Sequence, residues 1–349
     1  MKMSDIGNDC ISLLSERLEK VENLRNATIL ITGGTGFLGS WLCEMIYTLN
    51  QNFAMGITLY LISRERDVYD EKLGHLHNEK FIFLRNDVKN IIEIPKDVNF
   101  IIHAAAVPDN RFHTSNPMKT MIDIAEGTRA LLKAADRLPD LRMFLNVSSG
   151  TVYGANDENL LKISEETCGS PALGSISSAY SEAKRYAETL VTAARSEMRL
   201  PVVSIRPFAF IGPYQPLSAP WAVNNFMQDA IKKRPVRVLG NGETVRSLLY
   251  GGDFALWVLT IVCNAKSGAV YNVGSDHRIR LDDLAELVAS KFNPKPEIIY
   301  NASLVGSVPK TIIVPDINKA KEDFGLEVYT SIEVALKKTI QWYLGELDG

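Results

Sequence analysis

The stretch that most constrains this chain is Ala27-Thr-Ile-Leu-Ile-Thr32 followed by Gly33-Gly34-Thr35-Gly36-Phe37-Leu38-Gly39. An aliphatic, β-branched run that stops at glycine and restarts as a helix (Ser40-Trp-Leu-Cys-Glu-Met-Ile-Tyr47) is a strand–turn–helix unit. Its glycines allow a tight turn, a close approach of backbone to a pyrophosphate, and close helix–strand packing. The helix start offers unpaired N–H groups and the positive end of its dipole to the phosphates. A glycine triplet alone is weak evidence. With a strand before it and a helix after it, the triplet reads as a dinucleotide site.

Beyond the loop, the chain has the texture of an α/β protein. Strands are expected at Thr28–Thr32, Ile57–Ile62, Phe81–Leu84, Phe100–His103, Met143–Val147 and Val202–Arg206, separated by helical stretches that include Asp123–Ala135 and Ala179–Arg195. Near-continuous apolar strands between amphipathic helices imply a parallel sheet covered on both faces. The expected architecture is a Rossmann-type doubly wound parallel sheet with a smaller C-terminal α/β substrate lobe. The sheet domain spans 26–212, with 248–275 returning to it, and the lobe is built from 213–247 and 276–349. The lobe begins with the proline-punctuated Gly212-Pro213-Tyr214-Gln215-Pro216 and Ser218-Ala-Pro220. Helices are expected at Trp221–Lys233, Leu281–Phe292 and Ser331–Leu344, with a short strand Val236–Leu239 and a Gly240-Asn241-Gly242 turn. Ahead of the first strand, Ile11, Leu14, Leu18, Val21 and Leu24 recur at helical spacing, so residues 1–25 read as an amphipathic helix that packs on the body or on a partner subunit.

Composition removes whole classes. A net charge of −3 over 349 residues leaves no basic footprint for nucleic acid and no polybasic membrane patch. No apolar run approaches the roughly 18–20 residues that span a bilayer, and the first residues have no signal-peptide core. Four cysteines (Cys10, Cys43, Cys168, Cys263) lie far apart, which predicts reduced thiols in a cytoplasmic protein and no metal site.

Two further segments carry chemistry. Tyr180-Ser-Glu-Ala-Lys184 places tyrosine and lysine one turn apart on a helix face. A cation there, with the positive ring of a bound nicotinamide, stabilises phenolate, and such a tyrosine can exchange a proton as hydride moves at the neighbouring carbon. Val147-Ser148-Ser149-Gly150-Thr151-Val152-Tyr153-Gly154 lies just past a strand's carboxyl end, where ligands of open α/β sheets bind. A hydroxyl there, on Ser149, can bond the reacting oxygen and share its proton with Tyr180.

These residues resemble the extended short-chain dehydrogenase/reductases that act on nucleotide sugars, the NAD-dependent epimerase/dehydratase family, over nearly the whole chain after the N-terminal helix. Gly33, Gly36 and Gly39 match the family's glycine triplet, with Thr35, Phe37 and Leu38 between them. Asp87-Val88 matches the pair at adenine, and His103-Ala104-Ala105-Ala106 resembles the post-strand loop beside the cofactor. Ser149, Tyr180 and Lys184 match the catalytic triad, Arg206-Pro207 is similar to the segment after the sixth strand, and Gly240-Asn-Gly242 through Arg246 to Asp253 resembles the stretch whose arginine grips the diphosphate. Tyr271-Asn272-Val273-Gly274 matches a further family turn. The resemblance implies a homodimer formed through the helices carrying Gly127-Thr128 and Tyr180. It also implies a nucleotide-diphospho-sugar substrate contacted by Ser149, Gly150, Thr151, Asn225 and Arg246.

Two departures matter. The family has asparagine three residues before the Gly-Thr of its fourth helix, and Ile124 stands there. After the second strand, where NAD users carry an acidic residue, the chain has Ser63-Arg64-Glu65-Arg66. Arginine pairs with a 2′-phosphate that a carboxylate repels, so the cofactor is NAD or NADP with NADP favoured.

For the reaction, the position after Ser149 is informative. Sugar 4,6-dehydratases place Asp-Glu there, and decarboxylases of the family tend to carry a glutamate in this segment. This chain has Gly150 and Thr151. A hydroxyl-only site resembles 4-epimerases and 4-ketoreductases, which makes those the first expectation. A 4,6-dehydratase or a UDP-glucuronate decarboxylase is the alternative, and a non-catalytic cofactor-binding regulator is a remote one. His75 and His77 read as solvated. In the loop after the fourth strand, His113 is a candidate substrate contact, and Asp109 and Arg111 are polar groups without an assigned role.

Overall fold

The structure is a computed structural model that describes residues 3–154, 161–300 and 311–347. Residues 1–2 of the expected N-terminal segment, and residues 301–310 and 348–349 of the expected C-terminal lobe, lie outside that set.

The chain runs α1 (Met3–Ser15), β1 (Thr28–Thr32), α2 (Phe37–Phe53), β2 (Thr58–Ser63), α3 (Arg66–Leu73), β3 (Phe81–Arg85), β4 (Phe100–His103), α4 (Asn110–Ser115), α5 (Pro117–Ala135), β5 (Met143–Val147), α6 (Ala179–Glu197), β6 (Val202–Pro207) and β7 (Phe210–Ile211). It continues through α7 (Ala222–Ile231), β8 (Val236–Val238), β9 (Val245–Arg246), β10 (Leu249–Tyr250), α8 (Gly251–Asn264), β11 (Val270–Val273), β12 (Ile279–Arg280), α9 (Leu281–Ala289), β13 (Ile298–Tyr300), α10 (Asn318–Phe324) and α11 (Ile332–Leu347).

Seven strands form one parallel sheet in the order β11-β6-β5-β4-β1-β2-β3. Every residue of β1 is buried, and alternate residues feed opposite layers. Ile29 and Ile31 pack with α2 and α8, whereas Leu30 packs with Leu131 and Leu132 of α5 and Val191 of α6. From β1 the chain builds outward to β2 and β3, then crosses back to lay β4 on the other side of β1. That reversal opens a crevice at the carboxyl ends of β1 and β4.

The chain after β6 is built from small pairings: β8 with β13, β9 with β12, and β7 with β10. Of its stretch Tyr271–Gly274, matched above to a turn, all but Gly274 lies in the edge strand β11 beside β6. Helix α8, absent from the sequence expectation, is buried from Gly251 to Val262. A helix apolar on every side has no amphipathic period to betray it. Asp253 near its start is buried and accepts from the Tyr329 N–H (2.8 Å), the Thr330 N–H (2.9 Å) and the Thr330 hydroxyl (2.7 Å), so it ties the C-terminal segment to the body.

The N-terminal segment differs from the expected single helix. α1 stops at Ser15, and a separate 3-10 turn covers Leu18–Leu24. The break lies at Arg17, whose φ of −142° leaves the helical region. The buried face of α1 is Ile6, Cys10, Leu13 and Leu14, with Ile11 only half-buried. The interruption lets both pieces lie on the body, α1 against α2 and α8 and the turn against α8. His75, expected in solvent, has Nε2 2.8 Å from the buried carboxylate of Glu44, to which the Tyr214 hydroxyl also donates.

A methyl group at Gly39 would sit 2.4 Å from the Gly33 carbonyl oxygen and 2.4 Å from the Gly34 Cα. Backbone on both sides cannot yield as a flexible side chain can. Gly39→Ala is expected to lower stability by about 2–4 kcal/mol and to abolish dinucleotide binding, as read by thermal unfolding with and without added cofactor.

Candidate active site

A cleft of about 810 Å³ lies over the carboxyl ends of the strands, within the size range of small-molecule sites. Its floor at the switch point is backbone on backbone. Gly33 adopts φ +73°, and a Cβ there would lie 2.8 Å from the Ala104 carbonyl oxygen, so the ends of β1 and β4 touch. α2 begins at Phe37 with its first N–H groups at the cleft. Gly33, Thr35, Gly36, Phe37, Leu38 and Gly39 line this end, with Ala104, Ala105 and Ala106 opposite. Ser63, Arg64, Asp87 and Val88 line the far wall, and the Thr35 and Ser63 hydroxyls are 3.0 Å apart. The glycine cradle, which side chains would fill, suits a dinucleotide pyrophosphate, and the cleft runs on from it to Tyr180.

At the other end, Ser149 caps a short 3-10 turn, Gly150–Tyr153. Its Oγ accepts from the Thr151 N–H (3.2 Å) and the Thr151 hydroxyl (3.0 Å). With two donors already on its oxygen, Ser149 has its own proton to give, and its place beside Tyr180 on the cleft wall favours phenolate. Burial works against this and is the larger effect, pushing the Tyr180 phenol up to about 12.

Lys184, one turn along α6 from Tyr180, is buried, with Nζ 5.8 Å from the Tyr180 ring centre. It donates to the Val147 carbonyl at 2.7 Å. Support for the lysine thus comes from the end of β5, while Ile124 joins an apolar cluster with Ala183 and Ala187. Burial pulls the Lys184 ammonium down to about 8, against the opposing pull of Glu188 one turn further on. Glu188 is held in turn by Arg206, through contacts of 2.8–3.3 Å. Arg206 also donates to the Tyr153 hydroxyl (3.0 Å), which donates to Asn272 on β11 (2.6 Å). A chain of buried partners therefore runs from the edge strand to the site.

Of the other residues singled out, Thr151, Pro207 and Arg246 line the cleft. The Arg246 guanidinium donates to the carbonyl (3.2 Å) and hydroxyl (3.0 Å) of Thr311. Three positions fall elsewhere. His103 does not line the cleft. It lies beneath it, its Nδ1 2.8 Å from the Thr32 hydroxyl and its Nε2 3.2 Å from that of Thr128, because the last residue of β4 points into the sheet's covering layer. Gly150 packs against the Phe208 ring, 3.2 Å from where its Cβ would be. Asn225 lines a smaller cavity of about 200 Å³ with Arg237 and Gly240, which shares Pro220, Ala222 and Leu281 with the main cleft.

Several wall residues were not foreseen. Phe208, Ala209, Phe210, Gln215 and Trp221 also line the cleft. Gln215 lies in the proline-rich stretch that reads as a connection and Trp221 at the start of the helix expected after it, while for Phe208–Phe210 the alternation of aromatic and small residues after β6 was the available signal.

The family model of the NAD dependent epimerase/dehydratase family matches residues 29–274. The chain belongs to this family. Its members are NAD-dependent enzymes, and the fold and the glycine loop agree with that. The chain is similar to UDP-glucuronic acid decarboxylase 1 of Arabidopsis thaliana, 30% identical over 322 residues, covering 89% of this chain and 68% of the relative. Among solved structures it is similar to an epimerase, Mth375, of Methanothermobacter thermautotrophicus (TM-score 0.80, 19% identity, 96% of this chain and 97% of that one). It is also similar to UDP-glucuronic acid 4-epimerase from Bacillus cereus (TM-score 0.78, 23% identity, 91% and 99%). At these identities the structures speak for the fold. No described helix is long and apolar enough to cross a membrane.

His103 yields a test of the packing beneath the site. Burial pulls its imidazole from 6.5 down to about 3, so the fold keeps it neutral. Below pH 6.5 the unfolded chain takes up a proton that the folded chain refuses, and this contribution to stability is lost as pH falls through the window, at up to about 1.4 kcal/mol per pH unit. His103→Asn is expected to be less stable at pH 7 by about 1–3 kcal/mol, with the gap to the native protein narrowing from pH 6.5 to 4 in denaturant titrations.

Proposed function

We propose that the protein is an NAD(P)-dependent enzyme acting at C4 of a nucleotide-diphospho-sugar, as a 4-ketoreductase or a 4-epimerase. The observation that carries this reading is the bonded hydroxyl pair Thr151–Ser149 in one cleft with Tyr180 and the buried Lys184. Elimination across two sugar carbons needs an acid and a base beside the ketone. Here the side chain two places after Ser149 is a threonine hydroxyl already bonded to that serine. Among the described residues lining the cleft, the carboxylates are Asp87 and Asp123, and Asp123 is held by Lys89 (2.6 Å) and Lys119 (2.7 Å).

When bound, the nicotinamide cofactor supplies a hydride to C4 or accepts one from it. In the oxidative direction Tyr180 takes the proton of the C4 hydroxyl while Ser149 donates to the same oxygen; in the reductive direction Tyr180 returns the proton to the new alkoxide. Lys184 stabilises the phenolate form. Arg246 on the cleft wall is the group that would hold the diphosphate, and Asn225 in the adjoining smaller cavity would contact the nucleotide. Arg64 at the end of β2, with Ser63, favours a 2′-phosphate and hence NADP. The outward face of the α5–α6 pair exposes Met118 (73%), Ile122 (47%) and Tyr186 (52%), which supports a homodimer through these helices.

The relatives' name keeps a second reading in play, decarboxylation of UDP-glucuronate. One assay separates the readings. Nucleotide 4-keto-6-deoxysugars with NADPH, UDP-hexoses with NAD, and UDP-glucuronate with NAD are each followed by mass spectrometry. Reduction or C4 inversion is expected, and release of carbon dioxide from the third would overturn this proposal in favour of the second. Tyr180→Phe should lower turnover by about 10²-fold or more with cofactor binding retained; undiminished biological activity in that variant would point to a binding protein.

A further inference from the structure

His113 has a place that no part of the family resemblance assigns. It lies on α4, a six-residue helix capped by Asp109, whose carboxylate accepts from the Arg111 N–H at 2.9 Å. Arg111 pairs with Asp109 at 2.7 Å and donates to the Ser218 carbonyl at 2.9 Å, which anchors this short helix to the loop before α7. The His113 imidazole is buried, and its ring lies flat on the ring of Tyr180. The ring centres are 4.1 Å apart and the planes diverge by 5°. Its Nε2 is 2.6 Å from the Val107 carbonyl oxygen. A carbonyl can only accept, so Nε2 carries the proton, and this bond sets the ring's orientation.

We propose that His113 is a positioning residue for Tyr180: lying flat on the phenol, its ring fixes the phenol's plane and keeps water off one of its faces. The proposal rests on the role given to Tyr180 above. A phenol that exchanges a proton with both Ser149 and a sugar oxygen must hold its hydroxyl within hydrogen-bond reach of each. Helical backbone still leaves a side chain more than one staggered rotamer, so the phenol's direction has to be set by what packs on it. The cluster of Ile124, Ala183, Ala187 and Ala106 packs around the ring, and the His113 stack adds a flat wall.

The charged and titratable groups facing Tyr180 are few. Lys184 comes from its own helix. His113 comes from α4, with Asp109 beside it, and Ser149 faces it from the loop after β5. α5 contributes only the apolar Ile124. Burial is the largest influence on the phenol, so removing the stacked ring should admit water and let Tyr180 ionise nearer to the ordinary 10.0. A residue that does not lie against the phenol would change stability or rate without moving that titration.

The test uses the whole chain with the Cζ carbon of tyrosine labelled with ¹³C, the Tyr180 resonance being assigned by its loss in Tyr180→Phe. Three variants separate the ring from its hydrogen bond. His113→Phe keeps a ring and loses the donor, His113→Asn keeps a donor and loses the ring, and His113→Ala loses both. The expected result is a fall of about one pH unit or more in the Tyr180 titration for the Asn and Ala variants, with the Phe variant staying near the native protein. kcat should fall by about tenfold in His113→Asn with the KM for the sugar nucleotide within about twofold. A native-like Tyr180 titration in His113→Asn overturns the proposal even if His113→Ala does not fold, and so does a fall of equal size in His113→Phe. The titration needs no substrate, so a wrong assignment of the reaction, seen as unaltered activity in Tyr180→Phe, would be told apart from a failure of the stack.

Discussion

The close approach of two strand ends, where Gly33 lies against the Ala104 backbone and Gly39 against Gly33 and Gly34, is the contact on which the rest of the molecule is arranged. It brings the start of α2 down onto the sheet at the one place where the strand order reverses. The helix dipole and its unpaired N–H groups then face the crevice. With that end set, the loops after β4, β5 and β6 define the rest of the cleft, and Ser149, Tyr180 and Lys184 fall at the far end, on the loop after β5 and the first turns of α6.

The far end is controlled by dryness. Burial pushes the Tyr180 phenol up and pulls the Lys184 ammonium down, because it disfavours the charged form of each. Polar contacts oppose this one at a time: Ser149 on the phenol, Val147 and Glu188 on the lysine, and Arg206 on Glu188. Each support comes from a different element, which couples the proton-transfer groups to β5, β6 and β11. The stack of His113 on Tyr180 adds a contribution from α4.

Much of this was legible along the chain because it is encoded locally. β1, β4 and β5 and the Tyr180–Lys184 segment of α6 are short-range patterns: a buried run ending in glycine, and a tyrosine and lysine one turn apart. What escaped was whatever depends on distant partners. α8 is apolar all round and so has no period to read, and Val270–Val273 becomes a strand only because β6 offers it an edge. The break at Arg17 reflects the surface that α1 and the adjoining turn must both cover. His103 sits in the right segment yet points away from the cleft, since residues along a strand alternate between faces.

Sequence alone was therefore enough for the class of sheet, the glycine cradle and the tyrosine–lysine pair, because each is a matter of neighbours within a few residues. Tertiary structure decided what supports them: a carbonyl on β5 where an asparagine was absent, a threonine hydroxyl feeding Ser149, and an imidazole lying flat on Tyr180 from 67 positions away. Hydrogen bonds and ring stacks of that kind depend on the relative placement of whole elements. That placement is set by how the two apolar layers pack against the sheet, which no local pattern in the chain records.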